Sequence, residues 1–172
     1  MNSIKIVASG IYLPENSIEN AYLNNKFNLN DNWIYKRTGI QKRYWAEEES
    51  MLEIAIKSVE KILENTKINI QHIGLIMVAS TKFEDSMPGI SFGIQKKLDI
   101  KNCMCMDLLA GCSGYINAMD IAKKYVEIDE VKYALVIGVE KLSKYMNKED
   151  INTAILLGDG AGATLIGKAE NK

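Results

Sequence analysis

The sequence predicts an α/β fold with a mainly parallel five-stranded sheet and helices on both faces. Strand-like and helix-like segments alternate along the chain in the order βαβαβαββ, as in sheets built from crossover units. The run Ile73 to Ser80 is apolar without alternation, which is typical of a central parallel strand buried on both faces. Cys112 comes two small residues after another apolar run, Met104 to Leu109, at the edge where such sheets bind ligands.

Composition limits the class of protein. The 172 residues are enough for one domain or for half of a larger enzyme, and 47% hydrophobic with 25% charged residues is ordinary for a globular protein. A net charge of −1 gives no sign of a nucleic-acid or anionic-membrane surface. No apolar run approaches the roughly 18 residues of a membrane span, and no signal-peptide pattern opens the chain. We therefore expect a cytoplasmic protein.

The N-terminal part predicts one strand followed by a polar insertion. Ile4 to Ser9 reads as the first strand, and the insertion of about 30 residues after it is too long for a plain connection. Its two helical candidates are Ile18 to Phe27 and Asp31 to Arg37. In the second, Trp33 and Arg37 stand four apart and so share one helical face. Two interpretations remain: the pair binds a ligand, or Trp33 is an ordinary surface residue that covers the core.

The middle of the chain supplies the alternating elements. Ser50 and Glu53 form a capping-box pattern at the start of an amphipathic helix. In the last predicted helix, Ser113 to Ile128, the apolar residues extend over more than one face, which indicates burial on more than one side. The predicted helices are Glu49 to Thr66, Pro88 to about Leu98 and Ser113 to Ile128, and the strands between and after them are Ile73 to Ser80, Asn102 to Leu109 and Tyr133 to Val139.

A glycine run lies near the C-terminal end. Gly158 to Ala163 is not a G-x-G-x-x-G motif, carries no P-loop lysine and is followed by a strand pattern rather than a helix, so nucleotide binding is disfavoured. We expect a tight turn there that leads into a last strand, Thr164 to Gly167. Ile155 to Leu157 is expected to be a short extended segment before it.

Three cysteines lie within ten residues. Cys103 and Cys105 are expected to face opposite sides of a strand and to act as small buried apolar residues. No further Cys or His stands at ligand spacing, so the sequence predicts no metal site. Cys112 is different, because Ala110-x-Cys112-x-Gly114 has the small-x-nucleophile-x-small layout of a sharp strand-to-helix turn.

The Cys112 pattern alone does not make an active site. The start of the following helix favours an anion through its dipole. A catalytic thiol normally has a basic partner, and His72, the only histidine, is expected in a solvated loop at the opposite end of the sheet. From the residues alone, Cys112 is either a nucleophile whose partner lies elsewhere or an inert thiol.

Several motifs in order resemble one family. The chain is similar along its whole length to the N-terminal half of β-ketoacyl-acyl-carrier-protein synthase III, a thiolase-fold condensing enzyme, so residues 1–172 would be one N-terminal thiolase-like domain. The motifs that carry the resemblance are Gly10 to Pro14 (GIYLP), Trp33 to Ile40 (WIYKRTGI), Ile73 to Ile76 (IGLI), Ala110 to Gly114 (AGCSG), Lys132 to Val136 (KYALV) and Gly158 to Ala163 (GDGAGA).

The resemblance implies a reaction in fatty acid biosynthesis. Cys112 would attack an acyl-coenzyme A thioester, with its own N–H as one oxyanion donor. The acyl-cysteine would then condense with the carbanion from malonyl-acyl-carrier protein to give a 3-oxoacyl product. Coenzyme A enters as part of a substrate, and the resemblance implies no cofactor and no metal.

The resemblance also assigns substrate contacts. Trp33 and Arg37 match residues that hold the nucleotide end of coenzyme A by stacking and charge. Ile151 stands where the family usually has an arginine that sandwiches the adenine, which weakens this clamp. Met87, Leu142 and Leu157 match positions that line the acyl channel, and Met87 would reach this channel from across a homodimer interface. Because Met87 replaces a bulky aromatic residue, the channel would admit acyl chains longer than acetyl.

Length is the main departure from the family. Family members carry a second half with the His and Asn needed for decarboxylation, and neither motif stands in this sequence. The sequence leaves open an excised domain, a truncated product or one half of a split enzyme completed by a partner subunit, and it predicts no condensation by the chain alone. Two alternatives remain: a related condensing enzyme of secondary metabolism, and a non-catalytic structural half that dimerises through its sheet edge.

Overall fold

The computed structural model describes residues 3–84 and 87–169. Within those ranges the chain forms a five-stranded sheet, a small two-stranded sheet and six α-helices. The strands are β1 (Ile4–Tyr12), β2 (Ser17–Glu19), β3 (Lys42–Tyr44), β4 (Ile73–Ser80), β5 (Met104–Leu109), β6 (Tyr133–Lys141) and β7 (Asp159–Lys168). The helices are α1 (Asn20–Lys26), α2 (Trp33–Thr38), α3 (Met51–Glu64), α4 (Ile90–Lys97), α5 (Gly114–Glu127) and α6 (Ile151–Ala154).

The large sheet confirms the predicted α/β class. Its strand order is β1-β7-β6-β4-β5. Strand β4 pairs in parallel with both β5 and β6, whereas β7 is antiparallel to β6 and to β1. Four of the five strands therefore run in one direction, and β7 alone runs against them. The small β2–β3 sheet, α1 and α2 together form the insertion that follows β1.

Strand β4 is buried on both faces, as its apolar run predicts. Leu75, Met77 and Ala79 pack in the cluster that contains α5, while Ile76 and Val78 pack in the cluster that contains α3 and α4. Successive side chains of a strand point to opposite faces, so a strand between two helical layers needs apolar residues at every position. The helices therefore lie on both faces of the sheet.

Helix α3 is the main element of one layer. Its N-terminus carries the predicted capping box, in which the Ser50 hydroxyl accepts from the Glu53 N–H and the Glu53 carboxylate accepts from the Ser50 N–H. Ile54, Val59 and Ile62 are almost fully buried against the sheet. Burial of each such side chain stabilises the fold by about 1.5–3 kcal/mol.

Helix α5 forms the other layer, and here the sequence prediction is wrong. Only Gly114, Ala118, Ala122 and Val126 are buried, and they share one face at a spacing of four residues. Ile116 on the opposite side is 68% exposed. Within the part of the chain that the structure describes, α5 is thus buried on one side rather than on several.

The expected turn at the glycine run is also wrong. Strand β7 begins at Asp159, so Gly160 and Gly162 lie inside it, opposite Glu140 and Gly138 of β6. Two flanking antiparallel partners extend the strand through the glycines because every backbone group there finds a ladder partner. The segment 155–157 is a turn after α6 rather than an extended piece, since the Leu157 N–H donates to the Thr153 carbonyl oxygen.

Two smaller expectations are corrected near β5. Helix α4 begins at Ile90 with Gly89 as its N-cap, so Pro88 precedes the helix instead of opening its first turn. Cys103 and Cys105 do not face opposite sides, because their Sγ atoms lie 3.8 Å apart. Residues two apart in an extended chain point to the same face, so the expectation that these two cysteines face opposite sides is wrong.

Candidate active site

Cys112 lies in a sharp turn between a strand and a helix. Strand β5 ends at Leu109, residues Gly111–Ser113 form one 3₁₀ turn, and α5 begins at Gly114. Gly111 has a φ of +55°, in the left-handed region that favours glycine. The Ser113 hydroxyl donates to the Ala110 carbonyl oxygen at 3.0 Å and closes the turn. The elbow expected from the sequence is therefore present, with its strained position one residue before the thiol.

Gly114 allows the elbow to sit close to the sheet. A Cβ atom at this position would lie 3.3 Å from the Cβ of Ala79, at the carboxyl end of β4. Such a contact is tighter than ordinary packing, so a larger residue would push α5 away from β4. The small residue two positions after Cys112 thus has a packing reason in the structure.

The thiol itself is open to solvent. Cys112 is exposed and is not in a disulfide. Within residues 3–84 and 87–169 no hydrogen bond to this thiol is formed. His72 ends the 3₁₀ turn that precedes β4, and its Nδ1 lies 3.4 Å from Lys132 Nζ. Since β4 is about 23 Å long at ~3.3 Å per residue, His72 lies at the far edge and does not serve Cys112 as a base.

Glu140 joins the carboxyl ends of β4 and β6 beside the elbow. Its carboxylate accepts from the Thr81 N–H at 2.7 Å, from the Thr81 hydroxyl at 2.7 Å and from the Ser80 hydroxyl at 3.3 Å. These bonds fix the start of the loop that leaves β4. Met87 comes shortly before α4, and its side chain is exposed.

Glu84 anchors the same loop to α3. Its carboxylate accepts from the Met51 N–H at 2.6 Å and from Lys144 Nζ at 2.9 Å. Burial acts to raise the pKa of Glu84, but the hydrogen bonds from Met51 and Lys144 outweigh it and hold that pKa below its ordinary value of 4.5. The carboxylate therefore stays charged where it closes the N-terminus of α3.

Asp107 ties the strand that leads to Cys112 to the start of α4. Its Oδ1 accepts from the Ser91 N–H at 3.0 Å. A Cβ atom on Gly89 would lie only 1.5 Å from Asp107 Oδ2, so the carboxylate occupies the space that a side chain at position 89 needs. Gly89 offers no side-chain cap of its own, and Asp107 supplies that cap from the neighbouring strand.

A buried polar cluster connects the insertion to the start of β7. Asp159 is 5% exposed and accepts from the Ala46 N–H, the Ser143 N–H and the Ser143 hydroxyl. The Trp45 indole N–H donates to the Leu157 carbonyl oxygen at 3.1 Å. We call these residues (Trp45, Ala46, Ser143, Leu157 and Asp159) the Asp159 cluster. Sequence reasoning missed it, and the aspartate between two glycines was its only local signal.

Arg43 extends this connection. It is 4% exposed and donates to the carbonyl oxygens of Ile18 and Ile155 and to the Asn20 side chain. Burial lowers the pKa of Arg43, which the charge of Glu19 opposes. Three acceptors satisfy most of the buried guanidinium, while Nε has no partner within the described residues.

Trp33 and Arg37 lie together, as their spacing predicts. Both belong to α2, and the Arg37 guanidinium carbon lies 3.9 Å from the centroid of the Trp33 ring. Arg37 is exposed and Trp33 is partly buried. Ile151, the position that would carry the second arginine, packs against the same apolar cluster as Trp33.

The three predicted channel residues occupy different settings. Met87 is 86% exposed and lines a cleft of about 280 Å³ with Leu52, Glu84 and Gly93. Leu142 and Leu157 are partly buried beside Ser143 and Asp159 and are not among the residues that line that cleft. Among the described residues, no group of three or more His, Cys, Asp and Glu side chains is arranged to hold a metal ion.

Known sequences match the chain throughout. The family described as 3-Oxoacyl-[acyl-carrier-protein (ACP)] synthase III matches residues 106–172. A beta-ketoacyl-[acyl-carrier-protein] synthase III of Clostridium acetobutylicum is 37% identical over 96% of this chain and 51% of the relative. The protein of the same name from Serratia proteamaculans is 41% identical over 96% of this chain and 53% of the relative. The chain thus spans about half the length of the curated relatives it matches.

Solved structures match the fold closely. The crystal structure of 3-oxoacyl-[acyl-carrier-protein] synthase III from Aquifex aeolicus VF5 superposes with a TM-score of 0.92 at 35% identity, over 99% of this chain and 55% of that one. The priming beta-ketosynthase of the R1128 polyketide pathway gives 0.93 at 27% identity, over 99% and 51%. The resemblance of this chain to the β-ketoacyl-acyl-carrier-protein synthase III family, which its motifs predict, is therefore confirmed.

Proposed function

We propose that residues 1–172 are the N-terminal thiolase-like domain of a 3-oxoacyl-acyl-carrier-protein synthase III-type acyltransferase of fatty acid biosynthesis. The single observation that carries the proposal is the exposed Cys112 thiol in a glycine-containing elbow between β5 and α5. Similarity at 35–41% identity to proteins named for this activity supports it. The cytoplasmic location and the absence of a cofactor stay predictions.

In this proposal Cys112 takes the acyl group from an acyl-coenzyme A. Its sulfur forms a bond to the thioester carbonyl carbon, the carbon–sulfur bond to coenzyme A breaks, and the proton of the Cys112 thiol ends on the departing thiol. The carbonyl oxygen becomes an oxyanion in between. The Cys112 N–H, in the 3₁₀ turn that precedes the 14-residue helix α5, would stabilise that charge.

Coenzyme A would bind at α2. The exposed Arg37 offers charge to the phosphates, and the Trp33 ring offers a stacking face to the adenine. The Arg37 guanidinium covers one face of that ring. Ile151 offers only apolar contact where an arginine would add stacking and charge, so we expect weaker nucleotide binding than an arginine would give.

The acyl chain would be enclosed by Met87, Leu142 and Leu157. The high exposure of Met87 is consistent with a residue that is covered by the second copy in a homodimer and reaches the partner's channel. A methionine is flexible and adapts its shape, so we expect this channel to admit chains longer than acetyl.

Condensation requires groups that this sequence lacks. The family uses a His and an Asn from its second half for decarboxylation of malonyl-acyl-carrier protein, and His72 is the only histidine of this chain. The rest of a parent chain, or a partner subunit, would supply that half. The groove between β1 and α5, where Ile6 is 63% and Ile116 68% exposed beside charged residues such as Lys123, offers a surface for it.

A second candidate function is priming of another pathway. The priming beta-ketosynthase of the R1128 polyketide biosynthetic pathway matches the fold at 27% identity. Cys112 would then accept the same kind of acyl group but pass it to a different acceptor. Labelling of Cys112 does not distinguish the two, whereas the identity of the acyl acceptor does.

Intact-mass measurement after incubation with a series of acyl-coenzyme A thioesters tests the proposal. We expect one acyl adduct on the wild-type chain, none on Cys112→Ala, and an unchanged adduct on the matched control Cys103→Ala. Faster labelling by branched or longer chains than by acetyl would support the channel assignment. An adduct that persists in Cys112→Ala, or none at all with any thioester, would remove Cys112 from this role.

A further inference from the structure

Two thiols lie side by side at the start of β5. The Sγ atoms of Cys103 and Cys105 are 3.8 Å apart, and Cys105 Sγ lies 3.5 Å from Gln95 Oε1 of α4. Both side chains are partly buried against the cluster that contains α3 and α4, and neither is in a disulfide. The proposed acyl transfer uses neither of them.

The local backbone permits a bond between these sulfurs. Cα atoms two residues apart in a strand are about 6.6 Å apart, at the long end of the range for disulfides. The Cβ atoms must approach to about 4 Å, so one residue has to turn. Cys103 lies one residue before Met104, the first residue of β5 in the ladder with β4. Cys103 therefore lies outside the β4–β5 ladder, and the hydrogen bonds of that ladder do not fix its backbone.

We propose that Cys103 and Cys105 form a redox-active dithiol that a small-molecule disulfide converts into an intrachain disulfide, at a site separate from Cys112. The sulfur of Cys103 attacks one sulfur of the reagent and expels the first thiolate, which leaves a mixed disulfide. Cys105 then attacks the Cys103 sulfur and expels the second thiolate. The two protein thiol protons pass to these leaving groups, so the protein loses two electrons and the reagent becomes two thiols.

The surroundings of the two thiols determine which of them reacts first and how the rate of oxidation depends on pH. Burial raises the pKa of Cys103, against the lowering effect of its hydrogen bond with Cys105. Burial, the neighbouring Cys103 thiol and the charge of Asp107 together raise the pKa of Cys105 to about 12. Cys103 is therefore the entry thiol, and the rate of oxidation rises with pH because the thiolate is the nucleophile.

Cys112 cannot take part in this bond. From Cys105 to Leu109 the strand advances about 13 Å at ~3.3 Å per residue, and the elbow lies beyond its end. A disulfide needs Cα atoms within about 7 Å. Both events can thus occur in one molecule, one at each end of β5.

Oxidised glutathione is the probe for the test. After incubation of the native chain, we expect Cys103 and Cys105 together to lose two hydrogen masses without carrying glutathione, and both to resist alkylation in denaturant. Peptide mapping should place the bridge at Cys103 and Cys105, and dithiothreitol should restore all three thiols. The rate should increase from neutral to alkaline pH.

Two variants provide the matched controls. Cys112→Ala should form the same bridge, while Cys105→Ser should stop at a glutathione adduct on Cys103. Lasting glutathione on Cys103 or Cys105 of the wild-type chain, a bridge that includes Cys112, or alkylation of both Cys103 and Cys105 under conditions that modify Cys112 would each overturn the proposal. All of these outcomes are independent of acyl transfer.

Discussion

The elbow around Cys112 and the Asp159 cluster occupy the same edge of the sheet but are built in opposite ways. Gly111, Cys112 and Ser113 are all exposed, and the thiol has no hydrogen-bond partner within the described residues. Asp159 is buried and accepts three hydrogen bonds from two loops. The polar groups of the Asp159 cluster are therefore satisfied within this chain, whereas the surroundings of the Cys112 thiol are open. Variants of the Asp159 cluster should affect folding, and variants of Cys112 should affect chemistry.

The largest effect on stability is expected for Asp159→Ala. This change leaves the Ala46 and Ser143 N–H groups buried without an acceptor, which costs about 3 kcal/mol of unfolding free energy. Urea unfolding at pH 7 measures it. Cys112→Ala and Asp31→Ala, both at exposed positions, should stay within about 0.5 kcal/mol of the wild type. A loss in Cys112→Ala equal to that in Asp159→Ala would break the comparison.

Gly89→Ala should have the next largest effect. Its Cβ would collide with the Asp107 carboxylate, and overpacking of this kind costs about 2 kcal/mol. The matched control is Gly162→Ala, whose Cβ meets nothing within 4 Å and which should be nearly neutral. In the double variant Gly89→Ala with Asp107→Ala, the two losses should be less than additive, because the clash is gone. Strict additivity in chemical unfolding would contradict the contact.

Glu84→Gln tests the charge that closes α3. The pKa of Glu84 is lowered in the folded chain, so its carboxylate adds stability above the ordinary value of 4.5, and this stability is lost as pH falls through the folded pKa. At pH 7 we expect the variant to be about 1 kcal/mol less stable than the wild type. Unfolding curves between pH 7 and pH 3 should converge. A constant difference over that range would exclude the charge as the cause.

Ile151→Arg should have the smallest effect and the opposite sign. Residue 151 packs against the same apolar cluster as Trp33, and in the proposed site an arginine there would complete the clamp on the adenine. A contact of about 1 kcal/mol strengthens coenzyme A binding roughly fivefold. Isothermal titration with coenzyme A measures the change, with Ile151→Leu as the size-matched control. Equal affinity in both variants would mean that residue 151 does not face the nucleotide.

Local patterns were sufficient to predict the elements that depend on them. The continuous apolar run of β4 and the Ser50–Glu53 capping box appear in the structure at the predicted residues. The Trp33–Arg37 pair follows from helical spacing alone. Cys112 was found because an elbow needs small residues at fixed positions. These features are each encoded within about ten consecutive residues.

Features that depend on residues far apart in the chain could not be predicted from the sequence. Arg43 donates to the carbonyl oxygen of Ile155, 112 positions away, and nothing near Arg43 in the sequence indicates that contact. Gly160 and Gly162 resembled a turn because their two strand partners are not adjacent in sequence. The exposed side of α5 was expected to be buried, because the width of an apolar stripe does not reveal what covers it. Tertiary context decides in each of these cases.

The most direct test asks whether acylated Cys112 can go further in this chain. The purified chain is first loaded from the acyl-coenzyme A that labels it best and then mixed with malonyl-acyl-carrier protein, and 3-oxoacyl product is measured. Because the only histidine lies at the opposite edge of the sheet, we expect the acyl group to remain on Cys112 and no product to form. Release of the acyl group into a 3-oxoacyl product would contradict the account.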